Sequence, residues 1–122
     1  MTMTPSQAPL CRPAVRYVYL QQVTVNYMQM CEVLVYNANN VNVAVNKPTR
    51  CYSQNWNMPS SRAVDGSGDY TGANYYQSSG ASLSEFWQVD LLTTTELSSI
   101  TFYNFPGFES RMVGNLVFHF YF

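Results

Sequence analysis

Glu85-Phe86-Trp87-Gln88-Val89-Asp90-Leu91 decides the fold, together with Leu97-Ser98-Ser99-Ile100-Thr101-Phe102-Tyr103 beyond a short polar hinge. In the first run Phe86, Gln88 and Asp90 share one side of an extended chain, and Trp87, Val89 and Leu91 share the other. Only the second side is uniformly apolar, which is the period-two signature of a half-buried strand. The second run alternates less cleanly but is rich in β-branched and aromatic residues. Trp87 is the candidate core anchor, because an indole buries much apolar area and has one polar atom to satisfy. The expected fold is an all-β antiparallel sandwich hung on this pair of strands.

Outward from that pair, composition narrows the class. The 122 residues suffice for one domain with a real core. The net charge is −1 and only 11% of residues are charged, so no basic field for nucleic acid or an anionic membrane is present. Aromatics make up 16%, with ten tyrosines, a profile that suits a surface or extracellular β-protein as well as a plain Tyr-rich core. No run has helical spacing. No basic stretch followed by an apolar one reads as a signal peptide, and no apolar run approaches a membrane span. Cys11, Cys31 and Cys51 are widely spaced, so a zinc site is not expected. One disulfide with a free thiol and three reduced thiols both remain open.

Met1 to Pro13 holds three prolines and reads as a mobile arm. Val15 to Leu20 and Met28 to Tyr36 read as strands. Glu32 interrupts the second apolar run. Buried and unpaired, it would cost several kcal/mol, so it either points to solvent or has a cationic partner. Asn37 to Asn40 is a turn and Val41 to Val45 a short strand that Pro48 ends. Thr49 to Ser61 reads as a loop that exposes Trp56. Ala63 to Asp69 is turn-rich, and its Asp and main-chain oxygens suit a hard cation such as calcium, although the spacing is not that of an EF-hand. Tyr70 to Ser84 reads as a polar recognition loop. Arg111 to Val117 is a last strand, followed by an aromatic tail. His119, the only histidine, has no evident catalytic partner.

Several segments together resemble the galactose-binding-like β-sandwich superfamily, meaning F-type lectins and discoidin (coagulation factor 5/8 type C) domains. Asn42-Val43-Ala44-Val45-Asn46-Lys47-Pro48-Thr49 is similar to their opening N-x-A-x-x-K-P-T strand. Ala63-Val64-Asp65-Gly66 matches an A-x-D-G loop, Phe86 to Leu91 a W-W-x-V-D-L strand, Leu97 to Asn104 an I-x-x-I-x-I-Y-N strand, and Arg111-Met112-Val113-Gly114 an R-x-x-G strand. Val15 to Leu20 and Met28 to Tyr36 resemble the strands that close the same domain. The order is therefore reversed. Residues 14–37 look like the C-terminal strands of one galactose-binding-like domain and 41–122 like the N-terminal part of the next. Either the chain straddles a repeat boundary and is incomplete, or 14–122 is one circularly permuted, jelly-roll-like domain, with 1–13 as its arm. An incomplete sheet would leave an open edge for self-association.

The resemblance implies an extracellular or cell-surface, non-catalytic carbohydrate-binding module with a structural calcium ion. Its metal ligands would be the carboxylates of Asp65 and Glu32, main-chain oxygens of Arg62, Ser67 and Cys31, and an oxygen of Ser78 or Ser79. The family's fucose-binding constellation is missing here: no histidine lies in 70–84, Phe105 stands where its first arginine would be, and only Arg111 is a plausible basic residue. Composition leaves another glycan, held by Tyr75, Tyr76 or Trp56 against a sugar face. The second reading is a discoidin-like adhesive repeat for protein or lipid headgroups, with Trp56-Asn57-Met58 and Phe105 to Phe108 as apolar loop tips and no membrane insertion. No nucleophile–histidine–acid set and no phosphate loop is seen, so no enzymatic activity is expected.

Overall fold

The computed structural model describes residues 2–3, 14–67, 74–104 and 116–122. In chain order its strands are β1 (Thr2–Met3), β2 (Ala14–Gln22), β3 (Tyr27–Met30), β4 (Glu32–Asn37), β5 (Thr49–Cys51), β6 (Tyr76–Ala81), β7 (Phe86–Tyr103) and β8 (Leu116–Tyr121). A single 3-10 turn, Ser60–Val64, is the helical element among them. The chain is thus all-β, in antiparallel sheets of sandwich-like character.

The two runs that decide the fold are one strand. β7 passes through the expected polar hinge without breaking, and bends at Leu92, whose φ is 70°. Asp90 holds the bend by accepting a 2.8 Å hydrogen bond from the Leu92 N–H through Oδ1. Before the bend β7 pairs with β2 and β5; beyond it, Thr95 and Glu96 still pair with the start of β2, and the rest pairs with β4 and β1. β8 adds to the far side of β2. A second ladder joins β3 to β6. Residues 14–37 and 86–103 therefore build shared sheets, β2 and β4 pairing with opposite halves of β7.

The period-two pattern of β7 appears as burial. Trp87, Val89, Leu91, Leu97, Ile100 and Phe102 enter the core, with Val15, Val18 and Leu20 of β2 and Val33 and Val35 of β4. Phe86, Gln88 and Asp90 stay half-exposed on the other side. The Trp87 indole donates to the Ser60 carbonyl at 3.0 Å, so its one polar atom is satisfied under the 3-10 turn.

Several expected boundaries shift. Met28 to Tyr36 is two strands, because Cys31 leaves the β3–β6 ladder and donates its N–H to the Tyr103 carbonyl at 2.8 Å. Val41 to Val45 is no strand: only Asn42 bridges to Tyr36. The Asn42 side chain takes the place of a ladder by accepting from the N–H groups of Val35 and Ala44. Asn40 and Asn46, with φ of 60° and 58°, bracket that segment in left-handed conformation, which asparagine tolerates. Thr49 to Ser61 is not all loop, since it contains β5. The polar stretch 70–84 contains β6 rather than being one long loop. Thr2 and Met3 are paired with β7 instead of belonging to an arm. β8 runs into the aromatic tail; the strand start at 111–115 and the loop tip at 105–110 lie outside the described residues.

Candidate functional site

Glu32 opens β4 and is buried, with 2% of its surface exposed. It does not point to solvent. Its Oε2 accepts a 3.0 Å hydrogen bond from the Gly66 N–H, while its Oε1 is buried with no donor in reach among the described residues. The other buried glutamate, Glu85, differs: the Ser53 hydroxyl serves its carboxylate.

Asp65 follows the 3-10 turn directly and brings a second carboxyl into hydrogen-bonding and Coulombic reach of Glu32. Asp65 Oδ1 accepts from the Ser67 N–H at 3.0 Å, and its Oδ2 accepts from the Asn74 amide. Gly66 makes the approach geometrically feasible. Its φ is +69°, and a Cβ there would stand 3.1 Å from Val45 Cγ1.

The two carboxyls divide one charge. Burial drives the Glu32 pKa up; the Gly66 N–H opposes this; the hydrogen bond to Asp65 and its charge push further, to about 8. Burial also works against the Asp65 anion, but the Ser67 N–H, the Asn74 amide and Glu32 outweigh it and hold that carboxyl below its ordinary value. As two anions neither can donate to the other. A proton on Glu32, or a cation between them, removes the conflict.

The donor set fits a hard cation. Two carboxylates are present, and no third His, Cys, Asp or Glu joins them among the described residues. Remaining ligands would be neutral oxygens, the pattern calcium accepts and structural zinc does not. Cys31 adjoins Glu32 in sequence, and Arg62 and Ser67 stand on either side of Asp65 in the chain. Ser78 Oγ is committed elsewhere, whereas Ser79 is exposed and only its N–H is engaged. Ser78 Oγ accepts from Met28 N–H and donates to the Gly80 carbonyl, and Ser79 N–H donates to Ser53 Oγ. Asn74, not anticipated from the sequence, is in contact with Asp65 instead.

The residues expected to stack on a sugar differ in exposure. Tyr76 is fully buried, and its hydroxyl donates to the Ser53 carbonyl at 2.9 Å. Its ring is therefore core and cannot receive a ligand; burial also raises its pKa. Trp56 is 93% exposed, Tyr75 is half-buried, and Arg111 lies outside the described residues. Cys31 is buried, its thiol directed to the Asn104 carbonyl at 3.5 Å, and Cys51 is half-buried.

No family model, curated protein or solved structure matches this chain.

Proposed function

We propose that the chain is a non-catalytic, lectin-like binding module of the galactose-binding-like kind, whose Asp65 loop is fastened to β4 by a calcium ion. One observation carries the reading: the buried Oε1 of Glu32, which has no donor among the described residues, beside the Asp65 carboxyl. The all-β fold and the ordered motifs from Asn42 to Asn104 support it. Calcium would supply positive charge to both carboxylates and cross-link two distant segments of chain. Asp65 and Glu32 would hold it directly, with main-chain oxygens of Cys31, Arg62 and Ser67 near them. The test is thermal unfolding with calcium, magnesium or chelator, joined to a glycan panel on the calcium-loaded protein. A calcium-specific rise in the melting temperature is expected, together with saturable glycan binding. An unchanged transition in chelator and calcium would contradict the metal assignment, and an empty panel the lectin assignment.

A discoidin-like adhesive role is the second reading, favoured by the exposure of Trp56. An aromatic ring at a loop tip suits the boundary of a lipid surface. Sedimentation with liposomes separates the two, because a lectin module stays in the supernatant.

A further inference from the structure

The outward face of the sheet β5–β7–β2–β8 gathers aromatic and polar side chains. Register places Arg50 of β5, Gln88 of β7, Tyr19 of β2 and His119 of β8 in one row across four strands. The next row is Asp90, Tyr17 and Tyr121. A bulge in β2 between Val15 and Tyr17 turns both Arg16 and Tyr17 outward. Arg16 then neutralises Asp90 through two hydrogen bonds, at 2.9 and 3.1 Å. Arg16 also lies 5.0 Å over the Tyr17 ring.

The rings form a connected floor. Tyr19 stacks on Phe86 with centroids 4.9 Å apart and meets Tyr121 edge-on at 6.2 Å. A groove of about 480 Å³ opens above them, lined by Tyr17, Tyr19, Arg50, Gln88 and Tyr121. A second of about 260 Å³ shares Tyr17, Arg50 and Gln88 and extends it toward Pro48. The larger lies within the ~300–1,000 Å³ typical of ligand sites.

The Tyr19 hydroxyl donates to Gln21 Oε1 at 2.9 Å, but several other polar groups in this groove are unspent among the described residues. Arg50 is exposed and rests 5.6 Å over Phe86, and no carboxylate pairs with it among the described residues. With Asp90 already neutralised by Arg16, Arg50 leaves the groove one positive charge uncompensated among the described residues. The Gln88 amide and the hydroxyls of Tyr17 and Tyr121 likewise have no hydrogen-bond partner among the described residues. Aromatic faces match the C–H faces of a sugar ring. Free amide and hydroxyl groups match its hydroxyls, and a guanidinium fork matches a planar carboxylate.

The geometry points to this face as a binding site for an acidic saccharide, with Arg50 receiving a uronic-acid carboxylate and Tyr121 and Tyr17 receiving the ring. The inference rests on the lectin reading above and adds where the glycan sits and which charge it bears. Neither Trp56 nor Tyr75 belongs to it.

Titration calorimetry with tetragalacturonate and its fully methyl-esterified form tests this, since the two share every ring and differ in charge. The acid should bind at least about tenfold more tightly, the scale of a charge-assisted hydrogen bond. Arg50→Gln should erase that difference, Arg50→Lys should retain part of it, and Tyr121→Ala should weaken both forms. Val25→Ala, at an exposed position away from the groove, should change nothing. Equal binding of acid and ester, or discrimination that survives Arg50→Gln, overturns the site while leaving the lectin reading in place. So does preference for a polyglutamate peptide or for phosphatidylserine vesicles over the saccharide. Absence of binding to these probes and to neutral glycans alike overturns both.

Discussion

Gly66 donates its N–H to Glu32 Oε2 at 3.0 Å, which draws the loop after the 3-10 turn onto the first residue of β4 and sets Asp65 beside a buried carboxyl. Two acids far apart in sequence thereby share a site in which both cannot be charged without help. Proton and cation compete for the same place.

That competition sets a pH dependence. Without cation, the Glu32 pKa rises from 4.5 to about 8 on folding. Between those values the folded protein binds more protons than the unfolded chain. The contribution is therefore complete below about 4.5 and is lost as pH rises through about 8. Asp65 shifts the other way, so its contribution is lost at acid pH. Denaturation of the chelated protein should show stability falling by on the order of a few kcal/mol across the Glu32 window.

Glu32→Gln keeps the shape and an oxygen for the Gly66 N–H but cannot ionise. In chelator above pH ~8 it should be more stable than the parent by on the order of 1–3 kcal/mol, since it removes an uncompensated buried charge. The same substitution should abolish any response to calcium. Chemical denaturation with and without the metal reads both effects.

Gly66→Ala should be destabilising. Its φ of +69° is strained for alanine, and the new Cβ would press on Val45. A loss of about 1–2 kcal/mol is expected, with weaker calcium binding, because the Glu32 contact moves with it. Equilibrium unfolding and calcium titration measure the two parts.

Leu92 makes a contrasting case at the bend of β7. It is exposed and has φ of 70°. Leu92→Gly should stabilise by up to about 1 kcal/mol, whereas Leu92→Val should destabilise by at least about that much. Melting curves of the pair separate backbone strain from side-chain burial.

Trp87→Phe should cost about 2–4 kcal/mol. It removes the hydrogen bond to the Ser60 carbonyl and leaves part of a fully buried site empty.

The core side of β7 was legible in the sequence, because alternate burial of Trp87, Val89 and Leu91 is written in the residue types themselves. Its continuity was not: Thr93, Thr94 and Thr95 look like a hinge, and only pairing on both flanks keeps them extended. β6 was hidden for a related reason. Tyr-Gln-Ser-Ser-Gly-Ala has loop composition, and its strand geometry comes from β3 and from burial of Tyr76. Tyr76 consequently looked like a ligand residue when it is core. Glu32 was conspicuous as a charge in an apolar run, and its nearness to Asp65 was expected solely through the family resemblance. The approach of Asn74 had no signal in spacing. Likewise, alternation placed Tyr17 and Tyr19 on one side of β2, but only the strand register reveals that Arg50 and Tyr121 join them.

The most direct test is the melting temperature at about pH 6 and about pH 9, in chelator and in calcium, for the parent and Glu32→Gln. The parent should melt lower at the higher pH in chelator, and calcium should restore it. At roughly a hundredfold excess over Kd the gain is about 2.7 kcal/mol, on the order of 10 °C for a domain of this size. Glu32→Gln should show neither the pH loss nor the calcium gain. A parent protein whose melting temperature ignores calcium at both pH values, or a Glu32→Gln variant that responds like the parent, would contradict the account.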